Sequence, residues 1–520
     1  MGAAAVTVAA LHIANMPAVY GQTVDRNKLP KPLGHAETFE KAGTGRQHYV
    51  SPSGSATGDG SIDRPWDLQT GLSQSPAIHP GDKIWIRGGT YGHGRDIFRS
   101  NLMGTADAPI VVRQYPGERA IINGWLQVGC CDQDPKPNGG AYVWFWGLEF
   151  ASSITDRTGY PAGPPKWGES AVLDSVDTWA PGSKFINNVI HDTRMGISMW
   201  TEATDAEAYG NIIYNNGFQA SDRGHGHGFY VQNNTGAKYV TDNIIFNQFD
   251  NGIQAYGSDK AQVRNIVVEG NIVFNNGVIS GARADNVVFA GGTGVRGARL
   301  INNYFFHTPL TNLGYNELGW GGTNEDLTAE GNYFMGGFQS VAMGNWQSVK
   351  FQNNHVYSHA KYDLILSTSN STAGYVWNGN TYYGSGMFMV NGSGTSFEGW
   401  REKTHLDGNS TYRSGDPTGV WTFVRPNKYE QGRANIVIYN WDLAASVAVD
   451  LSGVLTPGRR YEIRDAQNFL AGARFTGTFD GSPVRISMTG LSVAMPNGSA
   501  PVPPQNTAPQ FGTFVVIPLP

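Results

Sequence analysis

Cysteine is almost absent from this chain: 2 in 520 residues, adjacent at Cys130 and Cys131. Neighbouring cysteines fit disulfide geometry poorly, so the fold cannot rest on a disulfide framework. No cysteine spacing suits a thiolate zinc site. Charge is also scarce. Only 15% of residues are charged and the formal net charge is −5. Without a basic field, nucleic acid is excluded as a partner, and a polyanionic substrate would need a local basic patch. Heptads, polyproline runs and blocks of like charge are missing. No apolar run is long and unbroken enough for a stable membrane span. The N-terminal MGAAAVTVAALHIANMPAVYGQ is Ala-rich and apolar like the core of a secretory signal, but it lacks the basic start. It predicts an exported protein, secreted or periplasmic.

What is abundant is glycine, 68 residues, together with aromatics at 12%. Asparagine recurs through the middle of the chain at Asn188, Asn211, Asn243, Asn271, Asn303, Asn332, Asn354 and Asn380, roughly 22 to 32 residues apart. This is the period of a stacked repeat. Most of these asparagines open the same phrase, such as GNIIYNN, DNIIFNQ or GNIVFNN, in which Asn precedes a short alternating run of Ile, Val, Tyr or Phe. A second short strand follows half a repeat later: MGISMW, HGFYVQN, NGIQAYG, DNVVFAGG, ELGWGG, QSVAMGN. Two or three strands per coil with no room for helices predict an all-β parallel solenoid, each coil burying its apolar face on its neighbours. Asparagine suits such corners because it tolerates left-handed backbone and its amides can bond along the stack.

The organisation follows. Residues 1–45 read as leader and connector, 46–412 as β-helix and 413–520 as a C-terminal antiparallel β-sandwich. His48–Val50 reads as a strand, Leu68–Leu72 as a short helical cap and Lys83–Arg87 as the start of the first coil. Phe397–Tyr412 reads as the closing helix. Alternating strands such as WTFVRP, NIVIYNW and TFVVIPLP then build the sandwich. Pro496–Pro509 is expected to loop out before the last strand. Trp421 and Trp441 are expected in its core rather than on a ligand platform.

The segment Gly58–Trp66, the phrase PGDKIWIRGGTY and the phrase GTADAPIVVRQYPGERAIING resemble the N-terminal coils of right-handed parallel β-helix proteins of the pectate-lyase-like superfamily. The resemblance runs to Tyr383. It implies the fold, and it implies action on polysaccharide by lyase or hydrolase chemistry, although that superfamily also holds epimerases and non-catalytic adhesins.

Candidate chemistry lies along the second strands. Taking Ile197, Phe229, Ile253, Val287, Leu318 and Val341 as inward makes Ser198, Tyr230, Gln254, Val288, Gly319 and Ala342 outward. Trp200, Gln232, Tyr256, Ala290, Gly321 and Gly344 follow them. Trp200, Gln232, Gln254, Tyr256 and Lys260 are the candidate substrate contacts, a sugar groove beside a trough of small residues. The sharpest motif is Ser221-Asp222-Arg223-Gly224-His225-Gly226-His227-Gly228-Phe229-Tyr230. Its glycines leave the histidines open to approach, and histidine suits proton transfer near neutrality. For elimination, Arg223 would neutralise a uronate carboxylate, His225 or His227 would act as base and Tyr230 as acid. Lys238, Lys260 and Arg264 are alternative cations. Aligning the preceding turns brings Asp250, Asp285 and Glu317 towards His227 on successive coils, a spacing that glycosidase carboxylates also use.

The Gly-His-Gly string resembles polygalacturonase-type hydrolases, without their adjacent Asp-Asp pair. The paired Glu and Lys-Ser strings of alginate-lyase-like members are missing, as is a clear Asp cluster like the calcium site of pectate lyases. Calcium is the one cofactor left open, and any metal ligands are unassigned. The expectation is an extracellular polysaccharide-degrading enzyme, first a lyase cleaving a uronate-containing glycan. A glycoside hydrolase using two of Asp222, Asp250, Asp285 and Glu317 is the alternative, and a non-catalytic glycan-binding protein the third reading. The sugar, endo or exo action and oligomeric state are not legible.

Overall fold

The computed structural model describes residues 22–23, 42–129, 139–163, 172–309 and 314–520. The adjacent cysteines, most of the leader and part of the loop after Ser152 lie outside these residues. The chain is all-β and coils as a solenoid with three strand-bearing faces. The first face is a 12-stranded parallel sheet running from Gln47–Val50 to Val376–Asn378. The second and third faces together form a 22-stranded sheet. They are joined at the N-terminal end by long bent strands, Gly89–Ser100 and Ala120–Val128, that cross from one face to the other. The second face carries strands such as Ile212–Tyr214, Ile244–Phe246 and Ile272–Phe274. The third carries Ile197–Met199, Phe229–Val231, Ile253–Gly257, Asp285–Gly291 and Tyr315–Trp320.

The asparagine repeat is a hydrogen-bonded ladder at the corner between the first and second faces. From Asn188 to Asn380 each Nδ2 donates to the Oδ1 of the next asparagine at 2.8–3.2 Å. Each also donates to a carbonyl such as Phe145 O or Ala208 O of the coil before. Every ladder asparagine is buried. The left-handed backbone is not theirs, however. It belongs to the residue just before, Asn187, Gly210, Asp242, Gly270, Asn302, Gly331, Asn353 and Gly379, with φ between 51° and 71°. Two jobs are therefore split between two adjacent positions. Asn, Asp or Gly makes the turn, and the following asparagine satisfies backbone groups that the turn would strand.

Inward side chains such as Phe145, Phe185, Ile213, Ile245, Phe305 and Phe334 stack coil upon coil into one core. Helix Leu68–Leu72, with Asp67 as its N-cap, covers one end, and helix Phe397–Thr404, with Trp400 fully buried, closes the other. Beyond it lies an antiparallel unit. Strands Val420–Pro426, Ala434–Asn440, Phe511–Pro518, Arg460–Asp465 and Phe475–Thr478 form one sheet, joined in parallel by Gln22–Thr23. One face of this sheet packs on the antiparallel strand pair Ser446–Val449 and Val484–Ser487. The other face lies along the solenoid. Phe423, Val437, Tyr439 and Phe511 bury the outward ladder Tyr214, Phe246, Phe274 and Phe306 of the second face. Trp421 packs into this same layer, against Tyr333 and Tyr439.

Buried charges pin the contact: Arg425 to Asp242 at 2.5 Å, and Glu207 to Lys428 at 2.6 Å and Lys184 at 3.1 Å. The proline-rich stretch does not loop out. Asn497 N–H donates to Asp192 Oδ1 at 2.8 Å, and Val502 N–H to Ile279 O at 3.0 Å, so the stretch is laid back along the solenoid. The second face is therefore covered, whereas the third face keeps outward side chains such as Tyr230, Tyr256 and Trp320 at the surface.

Candidate active site on the third face

The alternation of the third face sends Asp177, Ser198, Tyr230, Gln254, Val288, Glu317 and Ala342 outward in one continuous row. Two sequence-based placements change here. The register pairs Leu318 with Phe289 rather than Val287, and an irregularity between Phe289 and Ala290 then pairs Ala290 with Trp320. Gly319, at φ +96°, absorbs the extra residue. Glu317, not Gly319, therefore stands in the Tyr230 row. Trp320, 56% exposed, stands where Gly321 was expected. The trough of small residues is closed by an aromatic: Trp320 leans across Ala290 and stacks on Tyr256 at 6.4 Å. At the other end Trp179 stacks on Trp200 at 5.9 Å, and Trp200 meets Tyr230 at 5.6 Å. Gln232 ties the strip together, donating to Tyr230 Oη at 3.3 Å and to Tyr256 O at 3.1 Å. Trp179, Asp177 and Trp320 escaped sequence reasoning. The first two belong to a coil whose phrase carries no histidine or glycine signal, and the third was hidden by the irregular register.

The motif Ser221–Tyr230 folds as a small hairpin ahead of this row. Phe218–Gln219 pairs antiparallel with Gly224–His225, and Asp222 and Arg223 form its tip. Gly217 and Gly226 pass so close that a Cβ on either would strike backbone. His225 stacks on Phe218 at 5.3 Å and its Nε2 meets Asp222 Oδ1 at 3.1 Å. Burial lowers the His225 pKa against the opposing pull of Asp222, while the His225 contact holds Asp222 down at about 2. The neutral ring therefore donates Nε2–H to Asp222 and keeps its lone pair on Nδ1.

His227 carries its proton on the same nitrogen but has its lone pair engaged. Its Nδ1 accepts the Asn251 N–H at 3.3 Å, so its proton sits on Nε2. Burial, with the Arg223 charge, pushes its pKa down to about 3. It stacks on Tyr230 at 6.1 Å. Tyr230 accepts from Gln232 and keeps its own proton, its pKa raised by burial. Gln254 Oε1 accepts from Asn251 at 2.6 Å, which directs its amide N–H groups elsewhere.

Of the three carboxylates, Asp250 meets His227, while Asp285 and Glu317 pair with each other on the following coils. Asp250 lies 3.8 Å from His227 Nδ1 and is ion-paired with Arg223, whose side chain remains 48% exposed. Burial, against the pull of Arg223, raises Asp250 to about 6. Asp285, beside Glu317, is raised to about 8 by burial first and then by the Glu317 charge. Its Oδ1 is buried without a hydrogen-bond partner. Glu317 is raised by burial and faces Arg283 at 3.5 Å. Two coils upstream of Tyr230, Asp177 is raised to about 8 by burial and by Asp174, with Trp125 Nε1 donating to it at 3.1 Å.

Two candidate cations lie elsewhere. Lys238 is fully buried, its Nζ held by the carbonyls of Met199, Trp200 and Gln232, and cannot meet a substrate. Lys260 sits on an exposed turn beyond Tyr256. Among the described residues, no three His, Cys, Asp or Glu side chains converge as a metal-binding group. Asp250 is engaged by Arg223 and Glu317 by Arg283, while Asp285 Oδ1 has no hydrogen-bond partner.

The family described as "Pel9A-like, right handed beta helix region" matches residues 48–383, a span that contains the whole third-face row. The chain belongs to the Pel9A-like right-handed β-helix family. The pectate lyase PEL9 of Emericella nidulans is 44% identical over 77 residues, 15% of this chain and 18% of that protein. The pectate lyase L of Thermoclostridium stercorarium is 24% identical over 279 residues, 51% of this chain and 21% of that protein. The chain thus spans about a fifth of the length of these curated relatives. The crystal structure of pectate lyase Pel9A aligns with a TM-score of 0.39 at 19% identity, covering 65% of this chain and 81% of that one. As a Pel9A-like β-helix, the chain has a polysaccharide-lyase-like scaffold. No described helix is long and apolar enough to cross a membrane.

Proposed function

We propose that this Pel9A-like β-helix is an exported polysaccharide lyase that cleaves a uronate-containing glycan by β-elimination, pectate being the first substrate to try because the curated relatives are named pectate lyases. The observation that carries the reading is the Asp222–His225 pair set on a hairpin beside half-exposed Arg223, ahead of Tyr230. Arg223 receives the uronate carboxylate, which makes the C5 proton more acidic. His225 Nδ1 takes that proton, with Asp222 stabilising the imidazolium that forms. The electron pair becomes the C4–C5 double bond as the C4–O bond breaks. Tyr230 gives its proton to the leaving oxygen.

The test is to incubate the purified protein with pectate and other polysaccharides, following ultraviolet absorbance of unsaturated ends together with reducing ends. Both should rise, and His225→Ala should abolish both. Reducing ends without unsaturation would instead support a glycoside hydrolase. One observation favours that second reading: Asp285 and Glu317 lie side by side on adjacent coils, burial raising both carboxyls and the Glu317 charge raising Asp285 further, the kind of carboxyl pair that acid–base hydrolysis uses.

A further inference from the structure

The arginines along the third face are already matched. Arg194 donates through Nε and Nη2 to Asp174 at 2.7 and 2.5 Å. Arg223 is paired with Asp250, and Arg283 faces Glu317 at 3.5 Å. By strand register Asp174, Arg194, Asp250 and Asp285 all fall two or three residues ahead of aligned inward side chains, so the Arg194 and Arg223 pairs follow one another down one edge of the groove. Arg283 continues that edge beside Asp285. A unit charge about 4 Å away is worth about 4 kcal/mol near a protein surface, and a carboxylate at similar distance cancels it. A polyuronate, with a negative charge on every ring, would therefore find little uncompensated positive charge along this edge.

What the face offers instead is flat apolar area with amides between. Trp179 and Trp200 lie on one side of Tyr230, and Tyr256 and Trp320 lie on the other. The C–H faces of uncharged sugar rings stack on such surfaces. Resting on the lyase reading, we propose that this groove selects a glycan of low charge density, in which one uronate at Arg223 is flanked by uncharged or esterified rings lying on the aromatic strip.

The test compares three probes with the full chain by affinity electrophoresis and by product formation: de-esterified polygalacturonate, the same polymer highly methyl-esterified, and a polymer alternating galacturonate with a neutral deoxyhexose. The two low-charge polymers should be retained roughly tenfold more strongly than polygalacturonate, with little change between about 0.01 and 1 M salt. Glu317→Gln, which releases Arg283 at a partly exposed position, should narrow that gap several-fold. Trp320→Ala should weaken retention of the low-charge polymers alone. Preferred retention of polygalacturonate that collapses with salt would overturn the inference, as would equal retention of all three, retention of none, or a preference unmoved by Glu317→Gln. The expected ranking with reducing ends but no unsaturated product would defeat elimination and leave the inference standing. Unsaturated product chiefly from polygalacturonate would do the opposite.

Discussion

His225 and His227 lie two residues apart and both carry the proton on Nε2, yet their surroundings engage different nitrogens. The backbone N–H of Asn251 occupies the Nδ1 lone pair of His227, while Asp222 accepts the Nε2–H of His225 and leaves the Nδ1 lone pair of that ring for a proton. His225→Ala and Tyr230→Phe should each lower kcat by about 10²–10⁴-fold, whereas His227→Gln should weaken binding more than turnover. Steady-state kinetics on the same substrate separates these outcomes. Because burial lowers the His225 pKa, the base form persists through neutrality, and kcat/KM should fall only on the acid side of the ordinary histidine range.

His191 makes a separate prediction, on stability. Burial pushes its pKa down, but hydrogen bonds to Asp192 at 2.7 Å and Glu149 at 3.1 Å outweigh this and raise it to about 9. A raised folded pKa stabilises fully below the unfolded value and is lost as pH rises through the folded one. About 3 kcal/mol should therefore disappear between roughly pH 6.5 and 9. Denaturant midpoints across that range should show the loss, and His191→Gln should flatten it.

At the scale of elements, the asparagine ladder is the part most exposed to mutation. An interior member such as Asn271 donates to Asn303 and Val240 O and accepts from Asn243. Asn271→Ala should leave buried partners on both sides unsatisfied, at a cost of about 3–5 kcal/mol. Asn188, at the ladder's start, has no preceding asparagine in the chain of bonds and should cost less. Chemical denaturation of the two variants measures the difference. The aromatic strip belongs to this scale as well: Trp200→Ala should weaken glycan binding by about 1 kcal/mol, roughly fivefold, with no comparable loss of turnover.

At the scale of the whole molecule, the C-terminal sheet decides which solenoid surface is available. It buries the aromatic ladder of the second face and is pinned by Arg425, whose guanidinium is ion-paired with Asp242 in the contact layer. Arg425→Ala would strand a buried carboxylate and should lower stability by about 3–5 kcal/mol. Calorimetry should also resolve a partial separation of the C-terminal sheet from the solenoid in that variant. Isolated second-face strands, stripped of this cover, would present stacked Tyr and Phe side chains to water.

Sequence alone determined the all-β solenoid, because a repeat of asparagine and alternating apolar residues is a local pattern that each coil must obey to stack on the next. It also determined that Arg223, His225 and Tyr230 would fall close together, since they lie within one short segment. It brought Asp250 and Asp285 near them because stacking sets neighbours at one coil's distance. Tertiary structure decided the rest. The irregular register that turns Glu317 and Trp320 outward depends on how two coils pack, and nothing in the local phrase announces it. Lys238 was drawn inward by three carbonyls contributed from other turns. The choice of the third face as the open one was made by a separate sheet folding back along the solenoid, a long-range burial of aromatic surface that no single repeat encodes.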